Sequence, residues 1–224
     1  MTISVRVAAL AAAAFIAGAG ASSAVTYNFT SVTNNNLTNA AIGAAQLSVD
    51  VTDAGSGNVA FTFNNAGPLA SSITDIYWDD QAGVLGTAGA IADSGAGVSY
   101  SWGASPGNLP GGNAVGFSVS PSGAAADSNA PVQPKGVNPG EWVTLVWSIV
   151  SGKTFNDVIA ALNLGGDQAG SLRIGIHVQG FANGGSESFV NTPPPPAPVP
   201  LPAGGLMLVA GLGAFGLLRR RQKA

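Results

Sequence analysis

The stretch QLSVDVT at residues 46–52 alternates apolar and polar side chains without a break. This alternation is typical of a β-strand that buries one face, because successive side chains in a strand point to opposite sides. The stretch VAFTF at residues 59–63 repeats the pattern after the turn-forming residues 53–58. The two stretches predict a β-hairpin with a loop of about five or six residues.

Strand-like patterns continue on both sides of this hairpin. Further strands are predicted at residues 27–30, 73–78, 98–102, 114–119, 142–150, 172–181 and 189–190. The stretch 142–150 is apolar on both faces, which predicts a central strand. The inward positions predict a buried set that includes Leu47, Val49, Phe61, Leu145, Ile174 and Ile176.

A single helix is predicted between two of these strands. Thr154 is followed three residues later by Asp157, which forms a capping-box-like pair, and Gly165 is placed to end the helix. About eight or nine strands with at most one short helix indicate an all-β fold. We expect an antiparallel β-sandwich, jelly-roll-like, over residues 25–190.

The composition excludes several classes of protein. The 224 residues contain no cysteine and one histidine, which rules out a disulfide framework and a thiolate or multi-histidine metal site. Only eight residues are Lys or Arg, so nucleic acid is not an expected partner. Residues 25–198 carry three basic residues against all eleven acidic ones, a formal charge of −8. Such a domain suits extracellular water and disfavours direct contact with anionic polymers.

The first 24 residues have the pattern of a secretory signal peptide. Arg6 provides the positive charge, residues 7–17 are uniformly apolar, and small residues follow up to Ala24. The alternative is an N-terminal membrane anchor, but the apolar run is short and rich in alanine. We expect export through the Sec machinery with cleavage before Val25; cleavage after Ala21 is the second choice.

The C-terminal region has the pattern of a second targeting signal. Residues 191–200 form a proline-rich spacer, which cannot join a helix or a central strand. Residues 201–218 carry no charge and, as a helix of about 27 Å, can span a bilayer core. A basic cluster follows, which predicts that this end faces the cytoplasm and the main domain lies outside.

The order of motif, apolar span and basic cluster in residues 199–224 resembles the PEP-CTERM sorting signals of Gram-negative bacteria, in the VPLPA variant. The residues that carry the resemblance are Val199, Pro200, Leu201, Pro202, Ala203, Arg219, Arg220 and Arg221. Leu201 stands where the namesake motif has Glu. Such tails also go by the name of an ice-binding protein C-terminal domain, a name that carries no evidence of ice binding. The resemblance implies processing by an exosortase and association with the cell surface or matrix, often with exopolysaccharide.

Few residues suit catalysis. A Ser-His-acid triad would need His177, which alternation places on the polar face of a strand. A glycosidase needs two convergent carboxylates, and the sequence does not bring Glu141 and Glu187 together. We therefore predict no enzyme activity and no catalytic residue.

Acidic residues around two turns are candidates for a calcium site, since hard cations take several oxygen ligands. The candidate ligands are Asp50, Asp53, Asp75, Asp79 and Asp80. Neither group has EF-hand spacing, and ordinary turn chemistry explains both groups as well. No other cofactor is expected.

Four tryptophans provide the remaining signal for binding. Trp142 and Trp147 have opposite parity in one predicted strand, so one of them points away from the core. An exposed ring can stack on a sugar while amide and acidic side chains bind the hydroxyls; core packing is the alternative. We expect an exported structural or adhesive protein associated with extracellular polysaccharide. The alternatives are a carboxylate-based polysaccharide hydrolase and a calcium-dependent carbohydrate-binding module.

Overall fold

The computed structural model describes residues 24–95 and 97–194. The predicted signal peptide up to residue 23, most of the proline-rich spacer, the sorting motif and the transmembrane helix 201–218 lie outside the described residues. The elements are β1 (Val25–Ser31), α1 (Leu37–Gln46), β2 (Leu47–Gly55), β3 (Asn58–Asn65), β4 (Ser72–Asp80), β5 (Leu85–Asp93), β6 (Tyr100–Trp102), β7 (Ala125–Ser128), α2 (Val132–Lys135), β8 (Trp142–Ile149), α3 (Phe155–Leu164), β9 (Leu172–Gln179) and β10 (Glu187–Thr192). Within these two ranges, no helix has the length and hydrophobicity of a membrane span.

The ten strands form one antiparallel sheet in the order β5-β8-β3-β2-β1-β10-β9-β4-β7-β6. The sheet curls until its edges meet, where Trp102 Nε1 of β6 donates to the Gly89 carbonyl of β5 at 2.9 Å. The Trp78 ring of β4 lies across the interior, 5.8 Å from Phe61 and 5.4 Å from Trp147. The antiparallel all-β prediction is confirmed, but the strands form one continuous near-barrel instead of two separate sheets.

The buried core follows the alternation in the sequence. All six side chains predicted to be inside are at most 2 % exposed: Leu47, Val49, Phe61, Leu145, Ile174 and Ile176. They lie on the inner faces of strands that pair in the register the pattern requires, such as Val49 opposite Phe63. This part of the prediction is confirmed. The register matters because a shift of one residue would move every apolar side chain of a strand to the outer face.

The predicted hairpin forms between β2 and β3, but its turn is tighter than expected. Pairing continues to Gly55 opposite Asn58, so only Ser56 and Gly57 lie between the strands. A bulge between Asp53 and Gly55 allows this extension, and both central residues take positive φ, 52° at Ser56 and 74° at Gly57. The structure therefore has a two-residue turn where the sequence predicts a loop of five or six residues. Positive φ at both central residues gives the turn a twist that matches the twist of the two strands.

The expected helix is present, but it is not the only one. Thr154 and Asp157 form the capping box of α3, and Gly165, at φ 60°, follows its last residue. The prediction of at most one short helix is wrong, since α1 and the four-residue α2 also form. Asn36 caps α1, and an added Cβ at Gly43 would lie 2.1 Å from the Phe189 ring, so tertiary packing stabilises a helix whose own sequence signal is slight.

Two strand predictions need correction, and two strands of the structure have no counterpart in the prediction. Residues 114–119 form no strand: a 3-10 helix (Gly112–Val115) and a loop occupy this region. β5 and β7 were not predicted, because their glycine- and alanine-rich sequences carry little β signal. The stretch 142–150 forms β8, which is not the predicted central strand: it neighbours the edge strand β5 and buries one face only. The strand that is buried along its whole length is β4.

Candidate functional site

One tryptophan is set apart from the others. Trp78 and Trp147 are 0 % and 3 % exposed, and Trp102 packs against both in the interior. Trp142 is 37 % exposed at the start of β8. The predicted opposite orientation of Trp142 and Trp147 is thus confirmed, with Trp147 inside.

Strand alternation and a neighbouring loop position the Trp142 side chain. Val143, Leu145 and Trp147 fill the inner face of β8, so Trp142 points to the outer face. The main chain of Trp142 is held by Ser94, whose hydroxyl accepts from the Trp142 amide at 3.2 Å and whose own amide donates to the Trp142 carbonyl at 3.1 Å. The ring is therefore presented from a strand that is paired on both sides.

Polar side chains lie on the same outer surface as this ring, on β2, β3 and β8. We call this surface the Trp142 face; its members are Trp142, Asn64, Ser48, Thr144, Thr62 and Asp50. Asn64 lies directly opposite Trp142, and Ser48 lies opposite Asn64. The next row across the three strands is Thr144, Thr62 and Asp50. Because opposed residues in a sheet point to the same side, these groups share one surface.

Hydrogen bonds order the polar members of the Trp142 face. The hydroxyls of Thr62 and Thr144 are 2.8 Å apart, and Asn64 Nδ2 donates to Asp50 Oδ2 at 2.9 Å. The Thr26 hydroxyl donates to the other oxygen of Asp50. An apolar ring thus lies beside preorganised hydroxyl, amide and carboxylate groups, an arrangement that suits a ligand with one apolar face and several hydroxyls.

The outer face of β4 and β9 is covered by residues 104–120. Leu109 and Phe117 from this segment pack on Tyr77 and Ala125 in a second apolar cluster, and the Tyr77 hydroxyl donates to the Pro106 carbonyl at 3.1 Å. Gly175 makes the close approach possible, since an added Cβ would lie 2.9 Å from Leu109 and 3.0 Å from Phe117. We call this surface the covered face.

A buried ion pair lies at one end of the covered face. Arg173 has the same parity in β9 as His177, whose face alternation predicts to be polar, yet Arg173 is 2 % exposed. Its guanidinium binds Asp79 and donates to the carbonyls of Val115 and Gly116, each at 2.7 Å. It also lies over the Phe117 ring at 5.3 Å. Residues 104–120 therefore provide hydrogen-bond acceptors for a guanidinium that strand alternation alone would place in solvent.

His177 lies in a polar row at the other end of the covered face. Its Nδ1 is 3.2 Å from Asp75 Oδ2, and Asp75 lies opposite Asp127 of β7. Burial and the neighbouring Asp75 carboxylate raise the pKa of Asp127 above its usual value. Asp127 was not singled out from the sequence, because only the pairing of β4 with β7 brings it to Asp75.

The same row contains a serine beside the histidine, but not a catalytic triad. Ser188 of β10 lies opposite His177, which in turn neighbours Asp75. The Ser188 hydroxyl is buried and has no hydrogen-bond partner among residues 24–95 and 97–194. The Ser–His hydrogen bond that would activate a nucleophile is therefore not formed in this arrangement.

Both glutamates hold loops in place. Glu187 accepts from the Thr33 hydroxyl at 2.6 Å and from the backbone amides of Asn35 and Asn36 at 3.2 Å and 2.6 Å. Glu141 accepts from the backbone and side-chain amides of Asn138 at 2.9 Å and 3.0 Å. Glu187 of β10 thus stabilises the loop between β1 and α1, and Glu141 stabilises the loop that precedes β8.

The calcium candidates have separate protein partners. Asp53 accepts from the Gly55 amide at 2.8 Å, and Asp50 belongs to the Trp142 face. In β4, Asp75 pairs with His177, Asp79 pairs with Arg173, and Asp80 accepts from the Leu85 amide at 2.8 Å. No group of three acidic or histidine side chains in the described part of the chain has metal-binding geometry. Calcium binding stays a prediction.

Comparisons with known proteins do not assign this chain to a family. Nothing among family profiles, curated proteins or solved structures matches the chain.

Proposed function

We propose that this chain is an exported, non-catalytic surface or matrix protein that binds neutral extracellular polysaccharide through the Trp142 face. The observation that carries the proposal is the exposed Trp142 ring beside the ordered side chains of Asn64, Asp50, Thr62 and Thr144. A sugar ring has an apolar C–H face that stacks on an indole and hydroxyls that exchange hydrogen bonds with amides, hydroxyls and carboxylates.

The charge of the domain selects the kind of polysaccharide. Residues 25–198 carry a formal charge of −8, and Asp50 lies on the binding surface itself. An anionic polymer would be repelled by this field, while a neutral glycan would not. We therefore assign the Trp142 face to neutral glycan chains.

Export and sorting complete the proposal. The signal peptide 1–24 would direct the chain to the Sec machinery, and the tail 199–224 would make it an exosortase substrate. Before processing, residues 201–218 would anchor it in the membrane, with Arg219–Arg221 in the cytoplasm. Two features support this arrangement: β1 begins at Val25, directly after the proposed cleavage site, and β10 ends at Thr192, just before the proline run.

The binding proposal is tested by retention of the full chain on insoluble neutral polysaccharides and by affinity electrophoresis in soluble ones. We expect Trp142→Ala to weaken binding at least about tenfold, as a stacked aromatic at a binding centre does. Leu164→Ala is the matched control, since Leu164 is 51 % exposed at the end of α3. Unchanged binding by Trp142→Ala would overturn the proposal.

The same assay separates the alternative functions. Binding through Trp142 is expected to persist in a chelator, whereas its loss would support the calcium-dependent module. Release of reducing ends from the polysaccharide over hours would support the hydrolase.

A further inference from the structure

A single row of side chains runs from Trp142 across four neighbouring strands. Asn64 of β3 lies opposite Trp142 of β8, and Ser48 of β2 lies opposite Asn64. On the next strand, β1, Asn28 lies opposite Ser48. Directly opposed residues share one face of a sheet, so these four side chains stand in line on the outer surface. We call them the Trp142 row; Asn28 extends it one strand beyond the Trp142 face.

The Trp142 row keeps hydrogen-bonding capacity that the adjacent row has used. In the adjacent row, the hydroxyls of Thr62 and Thr144 bond to each other, and both carboxylate oxygens of Asp50 accept hydrogen bonds. The side chains of Ser48 and Asn28 make no hydrogen bond to another residue in the described part of the chain. Asn28 is exposed and Ser48 is partly exposed. Their donors and acceptors are therefore available to the hydroxyl groups of a ligand.

The spacing of the Trp142 row suits a ligand that repeats along its length. Neighbouring strands lie about 4.8 Å apart, so the four positions cover about 14 Å. One pyranose unit adds a length similar to one strand spacing to an extended glycan chain. Trp142 and Asn28, at the two ends of the row, are exposed, whereas the short Ser48 between them is only partly exposed. The longer side chains at the ends offset the outward curvature of the sheet, so a straight chain can contact the whole row.

The chemistry of the row selects a neutral chain that continues past both ends. None of its four side chains ionises, and it lies on the outer surface of adjacent strands instead of in an enclosed pocket that would hold a chain end. We propose that the Trp142 row binds consecutive internal units of an extended neutral glycan, with one unit stacked on Trp142 and the following units placed along the row as far as Asn28. This inference rests on the proposed function, since both use the Trp142 ring.

The first experiment titrates the full chain with β-1,4-linked oligosaccharides of glucose, mannose and xylose, each from one to six units long, by calorimetry. In at least one series we expect the affinity to rise at least about tenfold between two and four units and then to level off. The reason is that each added unit gains hydrogen bonds, and each such bond changes affinity by about two- to tenfold. Maltohexaose, whose α-1,4-linked chain coils away from a straight row, should bind at most about threefold more tightly than maltose.

Substitutions along the row should act only on chains long enough to reach them. Ser48→Ala should weaken binding of trimers and longer chains, and Asn28→Ala should weaken binding of tetramers and longer chains, each by about two- to tenfold. Neither substitution should change binding of the dimer. Asn113→Ala is the matched control, since Asn113 is an exposed asparagine in the 3-10 helix of residues 104–120. It should leave the affinity for every length unchanged.

The outcomes separate this inference from the proposed function. If Trp142→Ala reduces retention on polysaccharide but affinity does not rise beyond two units in any series, the row is refuted and stacking on Trp142 stands. The row is also refuted if Asn28→Ala leaves tetramer binding unchanged, or if maltohexaose gains as much affinity as the β-1,4-linked hexamers. Unchanged retention in Trp142→Ala would overturn the proposed function and this inference together.

Discussion

The two outer faces of the sheet begin from the same kind of sequence and end in opposite environments. On the Trp142 face, Asp50, Thr62 and Thr144 remain at the surface and bond to one another or to neighbours. On the covered face, Arg173 and Asp79 are 2 % and 1 % exposed. Residues 104–120 cover the second face and leave the first one open. Outward-pointing polar residues in a strand therefore mark a surface only where no other segment packs on them.

Among the substitutions considered, Arg173→Ala on the covered face should lower the unfolding free energy most. The substitution leaves the Asp79 carboxylate buried without its cation, which costs roughly 3–5 kcal/mol of unfolding free energy. Denaturant unfolding of the full chain, followed by tryptophan fluorescence, measures the loss.

The double variant Arg173→Met with Asp79→Leu serves as its control. It should recover much of that loss, because replacing both partners with apolar side chains leaves no uncompensated charge. A double variant no more stable than Arg173→Ala would show that packing of the arginine, and not the orphaned carboxylate, dominates.

Phe117→Ala should have the next largest effect. Phe117 is 1 % exposed, packs with Leu109 and Tyr77, and lies under the Arg173 guanidinium. Removing the ring leaves a cavity between the covering segment and the sheet, at a cost of about 3 kcal/mol. The same unfolding assay applies, and a change below about 1 kcal/mol would show that the segment does not seal the covered face.

Thr62→Val should change stability little, because it affects the open face. The substitution removes the hydroxyl that bonds Thr144, but valine keeps the β-branched shape and both sites remain near water. We expect the unfolding free energy to change by less than about 0.5 kcal/mol, as at most surface positions. A loss as large as that of Phe117→Ala would erase the proposed difference between the two faces.

Asp127→Asn should change the unfolding free energy least, and the change should depend on pH. Burial first, and then Asp75, raises the pKa of Asp127 in the folded state. The fold therefore favours the protonated carboxyl, and the associated stability is full below the unfolded pKa of about 3.9 and is lost as pH rises through the folded value. Asn should stabilise the protein at neutral pH and lose that advantage below about pH 4. Unfolding midpoints compared at pH 3.5 and 7 provide the test, and an advantage independent of pH would contradict it.

Features that depend on neighbours in sequence were predictable. Alternation identified β2, β3 and β9 and the inner positions Leu47, Phe61 and Ile174. The spacing of Thr154 and Asp157 located the start of α3. Strand parity separated Trp142 from Trp147. In each case the decisive geometry is that of a few consecutive residues, which φ/ψ preferences and side-chain periodicity determine.

Tertiary structure decided which strands are neighbours and which faces are closed. The order of the sheet places β7 beside β4 and so brings Asp127 to Asp75, although the two residues lie far apart in sequence. Packing of residues 104–120 on Gly175 buries Arg173. These outcomes depend on the total burial and hydrogen bonding of the whole chain, which no local pattern encodes because each strand could satisfy its own alternation beside several different partners.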